Sequence, residues 1–286
     1  MRAFDFYSPV GLPEALGLLA ELGSEAAPLA GGSDLLLRMK AGDQTPRAVV
    51  SLRRVEELEG ISFDAQLGLR LGARLTLRDL TRSPLVLEHY PVLARAAAAM
   101  ASEQVRSFAT VGGNLVNAAP SADLAPPLLV LGAEVRLASL SGERQVPLER
   151  FFLGPGSCVR KPDELLVEIL VPPPDGSAVY LKHAPRAYMD IAVVGVAIGR
   201  GRANGNGRSI CIALGAVAPI PMLARRAAGA LNGARLQATD LARAAEIAAE
   251  ECSPIDDVRA SAAYRRRIVS VLVRRGLEAV SAGETA

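Results

Sequence analysis

Two glycine pairs are the residues of this chain best suited to chemistry: Leu29-Ala30-Gly31-Gly32-Ser33-Asp34-Leu35, and Ala109-Thr110-Val111-Gly112-Gly113-Asn114-Leu115. Paired glycines let the backbone enter positive φ and bring consecutive N–H groups close to a bound anion, and a following helix N-terminus adds a favourable dipole. Ser33, Thr110 and Asn114 place side-chain donors at the same points. Together the two loops could clamp one diphosphate, whereas either alone reads first as a tight turn. Neither GxxxxGK[ST] nor a GxGxxG between strand and helix occurs, so the usual nucleotide folds are not supported. Gly199-Arg200-Gly201 follows an apolar strand, but the next glycine is Gly205 and another strand follows, Ile210 to Leu214, so a hairpin tip is expected at 199–208.

The remaining reactive side chains are sparse. His89 and His183 are the only histidines, and Cys158, Cys211 and Cys252 include no CxxC pair. No metal site, iron-sulfur site or disulfide framework can be assembled from these residues alone, and no catalytic base is assigned. Taken singly, Asp123 reads as a cap for a helix beginning near Leu124, and Lys182 as a solvated strand residue. The basic run Tyr264-Arg265-Arg266-Arg267 with Arg274-Arg275 lies on an amphipathic helix, as a solvated face or as a face that docks a partner.

The elements that must position the glycine loops follow from periodicity. A strand at Phe4–Tyr7, a helix from Pro13 to Leu22, a strand at Ala27–Ala30, a helix at Leu35–Lys40 and a strand at Ala48–Leu52 give a β-loop-α-β unit. From Leu58 the texture changes to short strands, with Leu67, Leu69 and Leu71 alternating, a short helix at Leu75–Arg82 and an Ala-rich helix at Pro91–Ser102 leading to the second loop. Pro172-Pro173-Pro174 can continue neither a helix nor a central strand and marks a boundary. Beyond it, strands at Val179–Lys182, Ile191–Gly199 and Ile210–Val217 precede helices at Ala224–Leu231, Leu241–Glu250 and Ala260–Ala279.

A chain of 286 residues exceeds one compact core, so two or three subdomains with a cleft between them are expected. A net charge of +2 leaves no electrostatic footprint for nucleic acid or an anionic membrane. The start lacks the basic, unbroken apolar pattern of a signal peptide and no stretch reaches the roughly 20 apolar residues of a membrane span, so a cytoplasmic protein is expected.

Read together, these segments resemble the FAD-binding (medium) subunits of the xanthine dehydrogenase and aerobic carbon monoxide dehydrogenase family of molybdenum hydroxylases. The likeness is carried by Phe4 to Pro9, Glu14-Ala15-Leu16 and Ala30 to Leu36, and by Thr110 through Asn117 to Asp123. It continues in Phe151 to Pro155, Pro162 to Leu166, Lys182, Arg186 to Val194, and Pro254 to Asp257 with Ser261 to Arg266.

The resemblance implies an α+β protein: a two-subdomain FAD-binding domain of the PCMH type, residues 1–57 and 58–175, then a C-terminal antiparallel sheet covered by helices, residues 176–286. It implies that Leu29 to Leu35 and Ala109 to Leu115 line the FAD diphosphate and ribityl chain, and that Asp123 accepts from sugar hydroxyls. Leu166 would pack on the flavin or adenine, and Lys182 would lie at the polar edge of the isoalloxazine, where an ammonium favours the anionic reduced flavin. Met100 occupies a region where relatives can place an aromatic ring. Molybdenum cofactor and two-iron two-sulfur clusters are implied only for partner subunits, in a dimer of heterotrimers, with electrons passed to an external acceptor. The alternatives are a free-standing FAD-dependent oxidase or reductase of the same fold, and a non-catalytic nucleotide-binding scaffold.

Overall fold

Ala48–Ser51 is buried at every position, the pattern of a central strand covered on both faces. It is the middle strand, β3, of a parallel three-stranded sheet, flanked by β1 (Asp5–Tyr7) and β2 (Ala26–Leu29). Helix α1 (Leu12–Leu22) makes the first crossover, with Pro13 in its opening turn and Ala15, Leu16 and Leu19 buried. Helix α2 (Leu35–Ala41) makes the second and closes on Gly42 in the left-handed region. The computed structural model describes residues 1–204, 207–232 and 236–283.

The next segment builds an antiparallel sheet from β4 (Ile61–Asp64), β5 (Gly68–Gly72), β6 (Glu134–Ser139) and β7 (Gly142–Pro147). After a small hairpin of β8 (Phe152–Gly154) and β9 (Ser157–Cys158), β10 (Leu165–Val171) returns to its centre, giving the order β4-β5-β10-β6-β7. Between β5 and β6 run six short helices: α3 (Leu77–Arg82), α4 (Pro84–His89), α5 (Pro91–Ala98), α6 (Glu103–Arg106), α7 (Val111–Val116) and α8 (Ala125–Val130). The helix expected over 91–102 stops at Ala98 because Ala101 takes a φ of 42° and Ser102 starts α6, accepting from the Val105 N–H. The Arg106 guanidinium fills the break, donating to the carbonyls of Ala98, Met100 and Ala101. The triple proline is pinned in turn, Pro172 accepting from the Tyr90 hydroxyl at 2.8 Å.

The last sheet is antiparallel, β11 (Gly176–His183), β12 (Val194–Asn204), β13 (Gly207–Gly215) and β14 (Met222–Leu223) in that order. The expected hairpin is present in its paired flanks, Asn204 opposite Gly207, and the tip residues 205 and 206 lie outside the described ones. Period-two alternation divides the two faces. Val196, Ile198, Ile212 and Leu214 join the core under α10 (Ala238–Glu251) and α11 (Ala262–Ala282), while Ala197 and Ala213 face the middle sheet's core. Small residues there let α8 lie close: a Cβ on Gly215 would fall 2.9 Å from Pro126. A short α9 (Arg225–Gly229) precedes these two helices.

The basic run on α11 is not wholly solvated. Arg265 is 3% exposed and donates to the carbonyls of Val193 and Ala216 and to the Asp257 carboxylate at 2.7 Å. The backbone N–H of Arg259, then that of Ala260, then Arg265 hold the Asp257 carboxyl down at about 2, against an ordinary 3.8. A depressed carboxylate pKa stabilises the fold above 3.8, and the contribution is lost as pH falls through 2. The stability difference between wild type and Asp257→Asn should therefore be constant at neutral pH and shrink across that acid window. A difference that does not change with pH would show that the carboxylate charge plays no part.

Candidate functional site

The first glycine loop connects β2 to α2. Gly32 has a φ of 73°, which an L side chain rarely adopts. The backbone N–H groups of Gly31, Gly32, Ser33 and Asp34 donate to no described residue, so the loop carries a run of unclaimed donors. Gly31 is fixed by space rather than by φ, since a Cβ there would sit well inside contact distance of the Phe108 carbonyl oxygen. Phe108 leads into the second glycine loop, so the two loops touch through backbone.

The second loop departs from the expectation that both offer free N–H groups. Thr110 caps α7, accepting from Gly113 N–H at 3.0 Å through its hydroxyl and from Asn114 N–H at 2.9 Å through its carbonyl. Val111 and Gly112 donate to the carbonyls of Leu75 and Ala73. All four donors are spent on the fold because α7 is docked on the connection that follows β5. Gly112 permits that approach, a Cβ there falling 2.7 Å from Ala73. The first loop supplies donors and the second supplies shape.

Between the loops lies a cavity of about 590 Å³. Ala30 to Leu35 line it from one side and Thr110, Gly112 and Gly113 from the other. Leu166 is also on its wall, with Leu52, Leu58 and Leu165 completing an apolar patch. Leu29, Ala109, Asn114 and Leu115 are not on that wall and support it from behind, Leu115 being fully buried. The Asn114 side-chain oxygen is buried without a donor among the described residues.

Asp123 and Lys182 are brought together away from this wall. The Lys182 Nζ lies 2.9 Å from Asp123 Oδ2, the side chains being 10% and 8% exposed. The Tyr180 hydroxyl donates to the other Asp123 oxygen at 2.6 Å, and Lys182 also donates to the Ala99 carbonyl at 3.0 Å. Asp123 therefore does not cap α8, and Lys182 is not a solvated strand residue. Burial pushes the Asp123 carboxyl above its ordinary range, while the Lys182 charge and the hydrogen bonds from Tyr180 and Lys182 pull against it.

Residues that spacing did not single out also line the cavity: Arg38, Asn117, Cys158 and Arg160. Arg38 follows Asp34 by one helical turn, the only sequence signal that could have placed it. Arg160 reaches the wall with Nη1 on the carbonyls of Lys161 and Glu164, at 2.8 and 2.7 Å. The Glu164 carboxylate itself is taken by Arg144, at 2.7 Å.

Residues 2–174 match the model of the FAD binding domain in molybdopterin dehydrogenase, and residues 179–280 that of the CO dehydrogenase flavoprotein C-terminal domain. The chain is 34% identical to a xanthine dehydrogenase FAD-binding subunit of Escherichia coli over 287 aligned residues, covering 98% of each. It is 32% identical to the carbon monoxide dehydrogenase medium chain of Hydrogenophaga pseudoflava, covering 96% of each. Among solved structures, carbon monoxide dehydrogenase from the same organism superposes with a TM-score of 0.93 at 34% identity, covering 98% of each chain.

Proposed function

Because this chain belongs to the family of FAD-binding medium subunits of the xanthine dehydrogenase and carbon monoxide dehydrogenase enzymes, we propose that its FAD lies in the cavity between the two glycine loops and relays electrons within a larger oxidoreductase. One observation carries the placement: the unclaimed N–H run from Gly31 to Asp34 faces a cavity across which the second loop spends the N–H groups of Val111 to Asn114 on the fold. A diphosphate offers only acceptors and matches that donor set. The cavity's size lies within the roughly 300–1,000 Å³ of cofactor sites, and its leucines suit an aromatic ring.

FAD, when bound, supplies redox chemistry that joins one-electron and two-electron steps. The chain's own residues bind, orient and shield. Gly31, Gly32, Ser33 and Asp34 hold the diphosphate by backbone N–H groups, Thr110, Gly112 and Gly113 close the opposite side, and Leu166 packs on a ring. Asp123 and Lys182 stay in the proposed set on the strength of the resemblance. Because each neutralises the other at 2.9 Å, they would meet the cofactor as a dipolar pair without net charge.

The resemblance further supports a partner with two-iron two-sulfur clusters that delivers electrons and a partner with the molybdenum cofactor that oxidises the substrate, in a dimer of heterotrimers. Among the described residues no helix is long and apolar enough to cross a membrane; a cytoplasmic site is part of the proposal. A free-standing oxidase or reductase would need a proton-transfer group over the flavin. The two histidines do not supply one at the cavity: His89 stacks on Phe63 and His183 meets the Tyr264 hydroxyl. The proposed division at residues 57 and 175 is supported by the sheets, whose strands fall within 5–51, 61–171 and 176–223.

Two measurements test this reading. Cys158 lines the cavity, whereas Cys211 and Cys252 do not, so FAD should slow alkylation of Cys158 alone when followed residue by residue. Equal rates at Cys158 with and without bound FAD would contradict the placement. For the relay, the FAD-loaded chain mixed anaerobically with a reduced two-iron two-sulfur partner should lose its visible flavin bands as the clusters reoxidise. Bands that persist beside reduced clusters would contradict it.

A further inference from the structure

Arg38 stands on α2 one turn beyond Asp34, a spacing at which a carboxylate and a guanidinium ordinarily pair. Here they are kept apart. Asn117, the residue that ends α7, reaches across from the second loop: its amide oxygen accepts from Arg38 Nη2 at 2.6 Å and its amide nitrogen donates to Asp34 Oδ1 at 3.1 Å. Only this orientation of the amide satisfies both neighbours, because a guanidinium only donates and a carboxylate only accepts. The second Asp34 oxygen accepts from the Ser33 hydroxyl at 3.0 Å. Arg38 is thus held by a neutral group and forms no ion pair among the described residues, on the wall of the cavity that also receives the unclaimed N–H groups of the first loop.

We infer that Arg38 is a binding cation for the cofactor's diphosphate, held clear of the Asp34 carboxylate by Asn117 on the cavity wall, and that it favours FAD over phosphate-free flavin. The inference rests on the reading that FAD occupies this cavity. Physically, a guanidinium can give two parallel hydrogen bonds to phosphate oxygens, and an anchored one loses little side-chain freedom on doing so. Asn117 is then a positioning residue, acting on the ligand through Arg38 and Asp34.

The test titrates the apo chain with FAD, ADP and riboflavin at low and high salt, in wild type, Arg38→Met and Arg38→Lys, with circular dichroism to confirm the fold. Arg38→Met should weaken FAD and ADP by about 10- to 100-fold, with a shallower salt dependence, as expected for one lost charge-assisted contact. Riboflavin affinity should not change, and Arg38→Lys, which keeps the charge, should recover much of the FAD affinity. Undiminished FAD and ADP affinity in Arg38→Met would overturn the inference, as would an equal loss for riboflavin, which would indicate damage to the cavity rather than a lost phosphate contact. Should the wild type bind neither FAD nor ADP, the FAD reading itself falls and this inference with it.

Discussion

Gly31→Ala is expected to yield a folded chain whose affinity for FAD has fallen by about 100-fold or more, the loss of two backbone hydrogen bonds to a charged diphosphate at about 1.5 kcal/mol each. The added Cβ would collide with the Phe108 carbonyl oxygen, which belongs to backbone and cannot rotate aside. One loop must therefore move, and the N–H groups of Gly31 to Asp34 move with it. Gly17 supplies the control: it lies on α1 of the same subdomain with nothing near its would-be Cβ, so Gly17→Ala should bind FAD as the wild type does. Gly113→Val should also weaken binding, by a different route, since its Cβ would press on the Thr110 hydroxyl that caps α7. Flavin absorbance on titration, with a thermal melt of each apo protein, separates lost binding from lost folding.

The second large effect concerns stability. Lys182→Met removes the cation that faces Asp123 inside the protein, leaving a buried carboxylate with only the Tyr180 hydroxyl for compensation. Breaking such a pair from one side costs about 3–5 kcal/mol, whereas replacing both partners can be nearly neutral. Chemical denaturation should therefore show a large loss for Lys182→Met and a partial recovery in the double variant Asp123→Asn, Lys182→Met. If the single variant loses less than about 1 kcal/mol, the pair is open to water and its burial has no energetic weight. A flavin-site role for the pair would appear separately, as a change in FAD affinity at temperatures where every variant is folded.

These expectations mix what residue types announce with what only the folded chain reveals. The parallel unit around Ala48–Ser51 was legible because its strand is apolar from Ala48 to Val50, its first helix keeps a clean period and Pro13 sits where a helix begins. The glycine loops were legible only as a pair, because either alone reads first as a tight turn. Asn117 and Arg38 were not, because their meaning depends on two loops that are 79 residues apart in sequence and meet in space. For the same reason Asp123 read as a cap and Lys182 as solvated: each was judged by its neighbours in the chain, while its partner lay 59 residues away. The end of α5 at Ala98 also escaped periodicity, since alanines continue past it and the interruption comes from Arg106 gathering three carbonyls.

The division of labour between the loops has a mechanistic consequence. A substitution in the first loop acts by moving the N–H donors, as at Gly31, whereas one in the second loop acts by altering the shape of the cavity wall while those donors stay in place. Gly112, packed on Ala73, is the position where that distinction is sharpest.

The most direct test of the central claim is the stoichiometry of flavin uptake by the purified, folded apo chain, read from the visible absorption spectrum as FAD is added. The account predicts saturation at one FAD per chain in wild type and in Gly17→Ala, with no saturable uptake by Gly31→Ala at the same concentrations. A folded wild-type chain that stays colourless with FAD in excess, or a Gly31→Ala chain that binds as tightly as the wild type, would contradict the placement of FAD between the two glycine loops.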